Sequence, residues 1–138
     1  YFTENIIVTP HMKEMSRLTG IQIEEMKENP VRTAREFADQ YGVVCVLKDA
    51  ATVIAGRDGK TFVNGSGTPA MAKGGSGDVL TGVIAGLVAL GLEESDAAAL
   101  GVYVHGLAGE AAEKDFGVHG ALAGEIADCL SEVYRDGI

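Results

Sequence analysis

Residues Val43–Leu47 read Val-Val-Cys-Val-Leu, an unbroken apolar run directly behind an amphipathic stretch. A strand with one face in water alternates apolar and polar residues. An unbroken run belongs to a strand covered on both faces. Ahead of it, Val31, Ala34, Phe37, Ala38 and Tyr41 recur at helical spacing within Val31–Gly42, which predicts a helix with one buried face. Earlier still, Asn5–Thr9 (NIIVT) is a β-branched run stopped by Pro10, the mark of another short strand. Strand, helix and buried strand in that order are the sequence form of a parallel βαβ unit. The chain is therefore expected to be α/β, with helices layered on a partly parallel sheet.

The remaining elements follow from punctuation. His11–Gly20 carries Met12, Met15 and Leu18 at helical spacing and ends on a glycine, and Ile21–Asn29 is a second short helix ended before Pro30. Thr52–Ala55 and Lys60–Val63 are short strands joined by Gly56-Arg57-Asp58-Gly59, a hairpin signal. After the loop Gly65–Gly77, the residues Val79, Leu80, Val83, Ile84, Leu87 and Val88 form one wide apolar stripe. Gly82 and Gly86 on that helix are expected to admit a closely packed neighbour. Ser95 is expected to cap the next helix, Asp96 to about Lys114. A last helix is expected from about Gly120 to Tyr134, with His119 at its start. There is no internal repeat and no low-complexity linker.

Composition closes off several classes of function. The chain is 46% hydrophobic and 22% charged, ordinary for a globular domain. With 11 basic and 20 acidic residues its formal charge is −9, which disfavours nucleic acid and anionic membrane as partners. Any phosphate must be held locally, by backbone N–H groups and a few placed cations. Cys45 and Cys129 have no metal-ligand spacing and are read as reduced, buried thiols. Neither a membrane span nor a signal peptide is read, which points to the cytoplasm. The first residue is Tyr1 rather than Met, and the chain is read as part of something longer.

The 19 glycines in 138 residues are about twice the usual share of about 7%, and they gather before the apolar helix. Gly74-Gly75-Ser76-Gly77-Asp78 can turn its N–H groups inward together, beneath the positive end of the helix dipole. That is an anion hole for a transferring phosphoryl group. An acid at Asp78 could take the proton of a hydroxyl attacking phosphorus. Asp is also an ordinary helix cap, and the local residues leave both readings open. The pattern is neither a Walker loop nor a dinucleotide fingerprint. Lys48 and Thr52 follow the buried strand, at the end where open α/β sheets bind ligands. Solvated charge is the plainer reading of Lys48. His11 and Glu14 stand at i, i+3 and can meet, as a substrate contact or as a helix start. His105, among small and apolar residues, is expected to be a packed or hydrogen-bonded helix histidine. Glu24, Glu25 and Glu28 are expected to form a solvated face.

Four segments in order, TPHMKEMSRLTG (Thr9–Gly20), VLKDAATVIAG (Val46–Gly56), MAKGGSGDVLTGVIAGLVALG (Met71–Gly91) and AAALGVYVHGLAGEAA (Ala97–Ala112), resemble the ADP- or ATP-dependent NAD(P)H-hydrate dehydratases. That is the carbohydrate-kinase-like branch of the ribokinase-like fold. The resemblance covers almost the whole chain and matches the C-terminal half of a family domain. It implies a three-layer α/β/α architecture, with residues 1–138 forming the C-terminal portion of one domain. It also implies repair of NADHX and NADPHX: a nucleoside di- or triphosphate phosphorylates the ring hydroxyl, and phosphate then leaves. By the same resemblance Asp78 contacts the hydrate and acts as base, with Gly75, Ser76 and Gly77 as the anion hole. Gly77 and Lys48, Asp49, Ala50, Ala51 and Thr52 bind the adenine nucleotide, His11 contacts NAD(P)HX, magnesium comes with the nucleotide, and a homo-oligomer is expected. The chain departs from the family pattern at Asp49, where glycine is usual, and at Gly67-Thr68-Pro69-Ala70, where Asn and a further Gly are usual. A small-molecule kinase of the same fold shares the anion hole and the base. A non-catalytic nucleotide-binding fragment is the third reading.

Overall fold

The computed structural model describes residues 5–135 and Gly137. Two compact units are formed, Tyr1–Asn64 with Leu92–Ala99, and Gly65–Gly91 with Leu100–Ile138.

The first unit holds the sheet. Its strands are β1 (Ile7–Val8), β2 (Val44–Leu47), β3 (Thr52–Ala55) and β4 (Thr61–Asn64), in spatial order β1-β2-β3-β4. β1 runs parallel to β2, while β2–β3 and β3–β4 are antiparallel. The sheet is thus mixed, as expected. Between β1 and β2 lie α1 (Met12–Thr19), α2 (Ile23–Glu28) and α3 (Pro30–Tyr41). Met12, Met15, Met26, Ala34, Phe37 and Ala38 from these helices pack with Val43, Cys45 and Leu47 into one core. Every residue of β2 is buried, so the unbroken apolar run is explained by cover on both faces. On α3 the expected stripe narrows: Ala34, Phe37 and Ala38 are buried, whereas Val31 and Tyr41 are exposed. Arg35 ties α3 to the β3–β4 hairpin, donating to the carbonyls of Lys60 (3.1 Å) and Gly56 (2.5 Å) and to Asp39 (2.7 Å).

The second unit is helical. It contains a short 3₁₀ turn (Pro69–Met71), α4 (Ser76–Ala89), the larger part of α5 (Glu94–Gly120) and α6 (Ala123–Arg135). Leu80, Val83, Ile84 and Leu87 form the buried stripe of α4, and Val88 at its edge is exposed. Ala70, Ala108, Ala112, Ala121, Ile126 and Cys129 make a second core.

Three local expectations are corrected. Gly82 and Gly86 are exposed and a methyl group added there meets nothing; the close-packing glycines of this unit lie on α5 instead. Ser95 does not cap α5, which already begins at Glu94; its hydroxyl reaches Asp58 at 3.4 Å. His119 does not open α6. It lies in the last turn of α5, beyond a break at Gly117 (φ 76°, ψ 165°).

Candidate active site

In the second unit the glycine turn enters α4 with Gly75 as the N-terminal cap residue, at φ 89° and ψ −18°. That left-handed conformation is open to glycine and costly for other residues. Two N–H groups of the turn are used internally: Ser76 donates to Lys73 (3.3 Å) and Asp78 to Gly75 (3.1 Å). Among the described residues the N–H groups of Gly74, Gly75 and Gly77 have no protein acceptor. Unused N–H donors at a helix N-terminus can receive an anion.

Asp78 stands in the first turn of α4, two residues past Ser76, and no side chain caps this helix. An Asp used as a plain cap sits at the cap position and accepts from the second or third helical N–H. Here glycine holds that position. The Asp78 carboxylate is exposed, with no hydrogen bond or ion pair to any described residue. It is a free acceptor near the positive end of the helix, where its charge is favoured.

The turn is built on α5. Ser66 donates to the carbonyl of Tyr103 at 3.0 Å, and the Gly67 N–H donates to Glu110 at 2.8 Å. A methyl group at Gly106 would come within 2.8 Å of Ser66 Cβ, and one at Gly109 within 2.5 Å of Met71 Cγ. Lys73 Nζ donates to the Ala121 carbonyl. Thr68 accepts from the Ala70 N–H at 2.8 Å and caps the 3₁₀ turn. The departure from the family pattern at Gly67–Ala70 therefore forms an ordered turn. Beneath the glycines, Ser76 Oγ lies 3.4 Å from His105 Nε2, and both residues are buried. His105 is thus the packed, hydrogen-bonded helix histidine expected. The α5 face escaped the sequence reading, although Gly106 and Gly109 stand at i, i+3 and share a helix face.

In the first unit, the ends of β1 and β2 lie side by side because the two strands are parallel. His11 bridges to Lys48, and the Lys48 N–H donates to the Pro10 carbonyl at 2.8 Å. His11 caps α1: Nδ1 accepts from the Glu14 N–H (3.2 Å), and Glu14 returns a bond from the His11 N–H (2.8 Å). The helix-start reading of this pair is therefore correct, and the exposed imidazole also stands beside Lys48 at a strand end. A shallow cleft next to it is lined by Val8, Thr9, Pro10, Glu14, Arg17 and Leu18. Lys48 is half-buried and unpaired among the described residues. Asp49, Ala50 and Ala51 are exposed in the β2–β3 turn, and Thr52 opens β3. Asp49 thus sits in solvent. Each group of site residues belongs to its own unit: His11 and Lys48–Thr52 to the first, Gly74–Asp78 to the second. Glu24, Glu25 and Glu28 are exposed, as expected.

Among the described residues no group of three or more His, Cys, Asp or Glu could hold a metal ion. No helix there is long and apolar enough to cross a membrane.

Residues 1–132 match the family described as Carb_kinase, NAD(P)H-hydrate dehydratase. The chain belongs to the NAD(P)H-hydrate dehydratase family. It is 38% identical over 130 residues to an ADP-dependent (S)-NAD(P)H-hydrate dehydratase of Bacillus subtilis, covering 94% of this chain and 47% of that protein. It is 44% identical over 131 residues to a bifunctional NAD(P)H-hydrate repair enzyme of Moorella thermoacetica, covering 95% of this chain and 25% of that protein. A crystal structure of the ADP/ATP-dependent dehydratase from Bacillus subtilis, co-crystallised with ATP and Mg2+, superposes with a TM-score of 0.90 at 38% identity over 94% of this chain and 47% of that one. A ribokinase-like protein of Enterococcus faecalis superposes with a TM-score of 0.82 at 32% identity, over 96% of this chain and 45% of that one. The fold is therefore the ribokinase-like α/β fold. The chain spans about half the length of the ADP-dependent dehydratases it matches and about a quarter of the bifunctional repair enzymes.

Proposed function

We propose that this chain carries the phosphoryl-transfer centre of a nucleotide-dependent NAD(P)H-hydrate dehydratase, as the C-terminal portion of one such domain. The observation that carries the reading is Asp78: a free carboxylate in the first turn of α4, next to N–H donors that the protein leaves unused. In this reading Gly75, Ser76 and Gly77 form the turn that receives the transferring phosphoryl group. Asp78 takes the proton of the hydrate hydroxyl as its oxygen attacks phosphorus, and the bond from phosphorus to the nucleotide's leaving oxygen breaks. The carbon–oxygen bond of the phosphorylated hydrate then breaks, phosphate departs, a neighbouring carbon gives up a proton, and NADH or NADPH results. Lys48 to Thr52, with Gly77, bind the adenine nucleotide, and His11 contacts the NAD(P)HX substrate. No cluster of ligands among the described residues would hold a metal ion, so a Mg2+ ion would be carried by the nucleotide and would supply charge neutralisation during the transfer. The enzyme works in the cytoplasm as a homo-oligomer.

The test is direct. The chain, extended to the length of its ADP-dependent relatives, is incubated with NADHX and either ADP or ATP. Return of the NADH absorbance together with release of phosphate is the expected outcome. A stable phosphorylated alcohol without NADH points to a small-molecule kinase of the same fold. A rise in melting temperature with nucleotide but no turnover points to a non-catalytic nucleotide-binding role, and no rise with ADP and none with ATP counts against both enzymatic readings.

A further inference from the structure

Ser76 is the first residue of α4 and heads its buried stripe, followed by Leu80, Val83, Ile84 and Leu87. A helix turns about 100° per residue, so two residues on, Asp78 points about 160° away from Ser76, on nearly the opposite face. Whatever fixes Ser76 inward therefore aims Asp78 outward. The other positions of the stripe are held by apolar packing, which has no directional preference. Ser76 instead presents a hydroxyl to Nε2 of His105, at 3.4 Å, with 5% and 6% of the two residues exposed. Buried polar groups are retained where they are paired, and a polar contact constrains direction as well as distance. The same stretch of α5 supports the loop that leads into the turn, through the Tyr103 carbonyl and Glu110.

From this geometry we propose that His105 is a positioning residue. Through Ser76 it sets the rotation of the first turn of α4, and with it the aim of the Gly77 N–H and the Asp78 carboxylate. The catalytic consequence rests on the dehydratase reading; the effect on the turn does not.

Two measurements separate the two. On the ¹⁵N-labelled chain, the amide resonances of Gly74, Gly75 and Gly77 are followed as inorganic phosphate or ADP is added. On the chain extended to its relatives' length, kcat and KM for ATP are measured in NADHX dehydration. A glutamine can place an amide nitrogen near the position of Nε2, and an asparagine falls short of it. His105→Asn and Ser76→Ala are expected to diminish the amide shifts and lower kcat about tenfold, with KM for ATP within about twofold. His105→Gln is expected to recover kcat to within about threefold of the parent. Ser76→Ala removes only a hydroxyl and decides the matter if the His105 variants do not fold. Parent-like amide shifts and kcat in His105→Asn or in Ser76→Ala overturn the proposal. Equal impairment of the Asn and Gln variants also overturns it, since that is loss of imidazole volume alone. A parent protein without dehydratase activity refutes the dehydratase reading, while the amide shifts still decide the role of His105.

Discussion

Asp78 and Gly75 divide between them two tasks that one residue performs in many helices. Gly75 turns the chain into α4 at φ 89°, and Asp78 keeps its carboxylate unspent. The five residues of the turn left a cap and a base as alternatives, because an Asp near a glycine-rich helix start serves either purpose. The cap reading turns on the starting residue of the helix, a boundary that sequence patterns locate only to within about two to four residues. The side-chain partner of His105 was not legible for a similar reason: Ser76 is distant in sequence, and only packing brings it near. Gly75 supplies a test at this scale. A side chain there meets both the left-handed backbone and Ala123 Cβ at 3.1 Å. Gly75→Ala is expected to lower the unfolding free energy by about 1–2 kcal/mol, read by denaturant titration, and to weaken nucleotide binding, read by calorimetry.

At the scale of elements, the strands and their partners were the most legible part. The run at Val43–Leu47, the hairpin glycines 56 and 59 and the strand residues around them each carry a local signal with a local cause. Helix contacts were less so. Glycines on α4 and α5 announce that something approaches closely, yet only tertiary packing shows that Gly106 and Gly109 are approached while Gly82 and Gly86 face solvent. Ser95 shows the same limit, since a hydroxyl near a helix start can cap the helix or bond across to a hairpin residue such as Asp58. The burial of β2 has a measurable consequence. Burial pushes the Cys45 thiol up from the usual 9.0 to about 12, and the nearby Arg35 offsets only part of this. A group whose pKa is raised on folding stabilises the native state below its unfolded pKa and loses that contribution as pH rises through the folded value. The contribution of Cys45 is therefore expected to be intact below about pH 9 and lost between pH 9 and about 12. Denaturation of the parent and of Cys45→Ala across that range checks it: the parent's stability should fall more steeply, and a thiol reagent at pH 8 should modify Cys45 only after unfolding.

For the molecule as a whole, a chain with a formal charge of −9 belongs to a family that handles phosphate-rich ligands. In the function proposed above, a glycine turn at a helix end would reconcile the two, because backbone N–H groups carry no formal charge and can still bind anions. Family and fold were legible from four ordered segments, since they preserve both the turn and the elements that hold it. The complete substrate pocket was not, because the chain spans about half the length of its ADP-dependent relatives. The central claim is that Asp78 is the base of phosphoryl transfer and not a structural acid. It is tested most directly by Asp78→Asn in the chain extended to its relatives' length, with NADHX turnover and nucleotide affinity measured on the same preparation. Loss of a general base costs about 10²–10⁴-fold in rate, so turnover is expected to fall by at least about 100-fold while nucleotide affinity is kept. Turnover within a fewfold of the parent would contradict the claim.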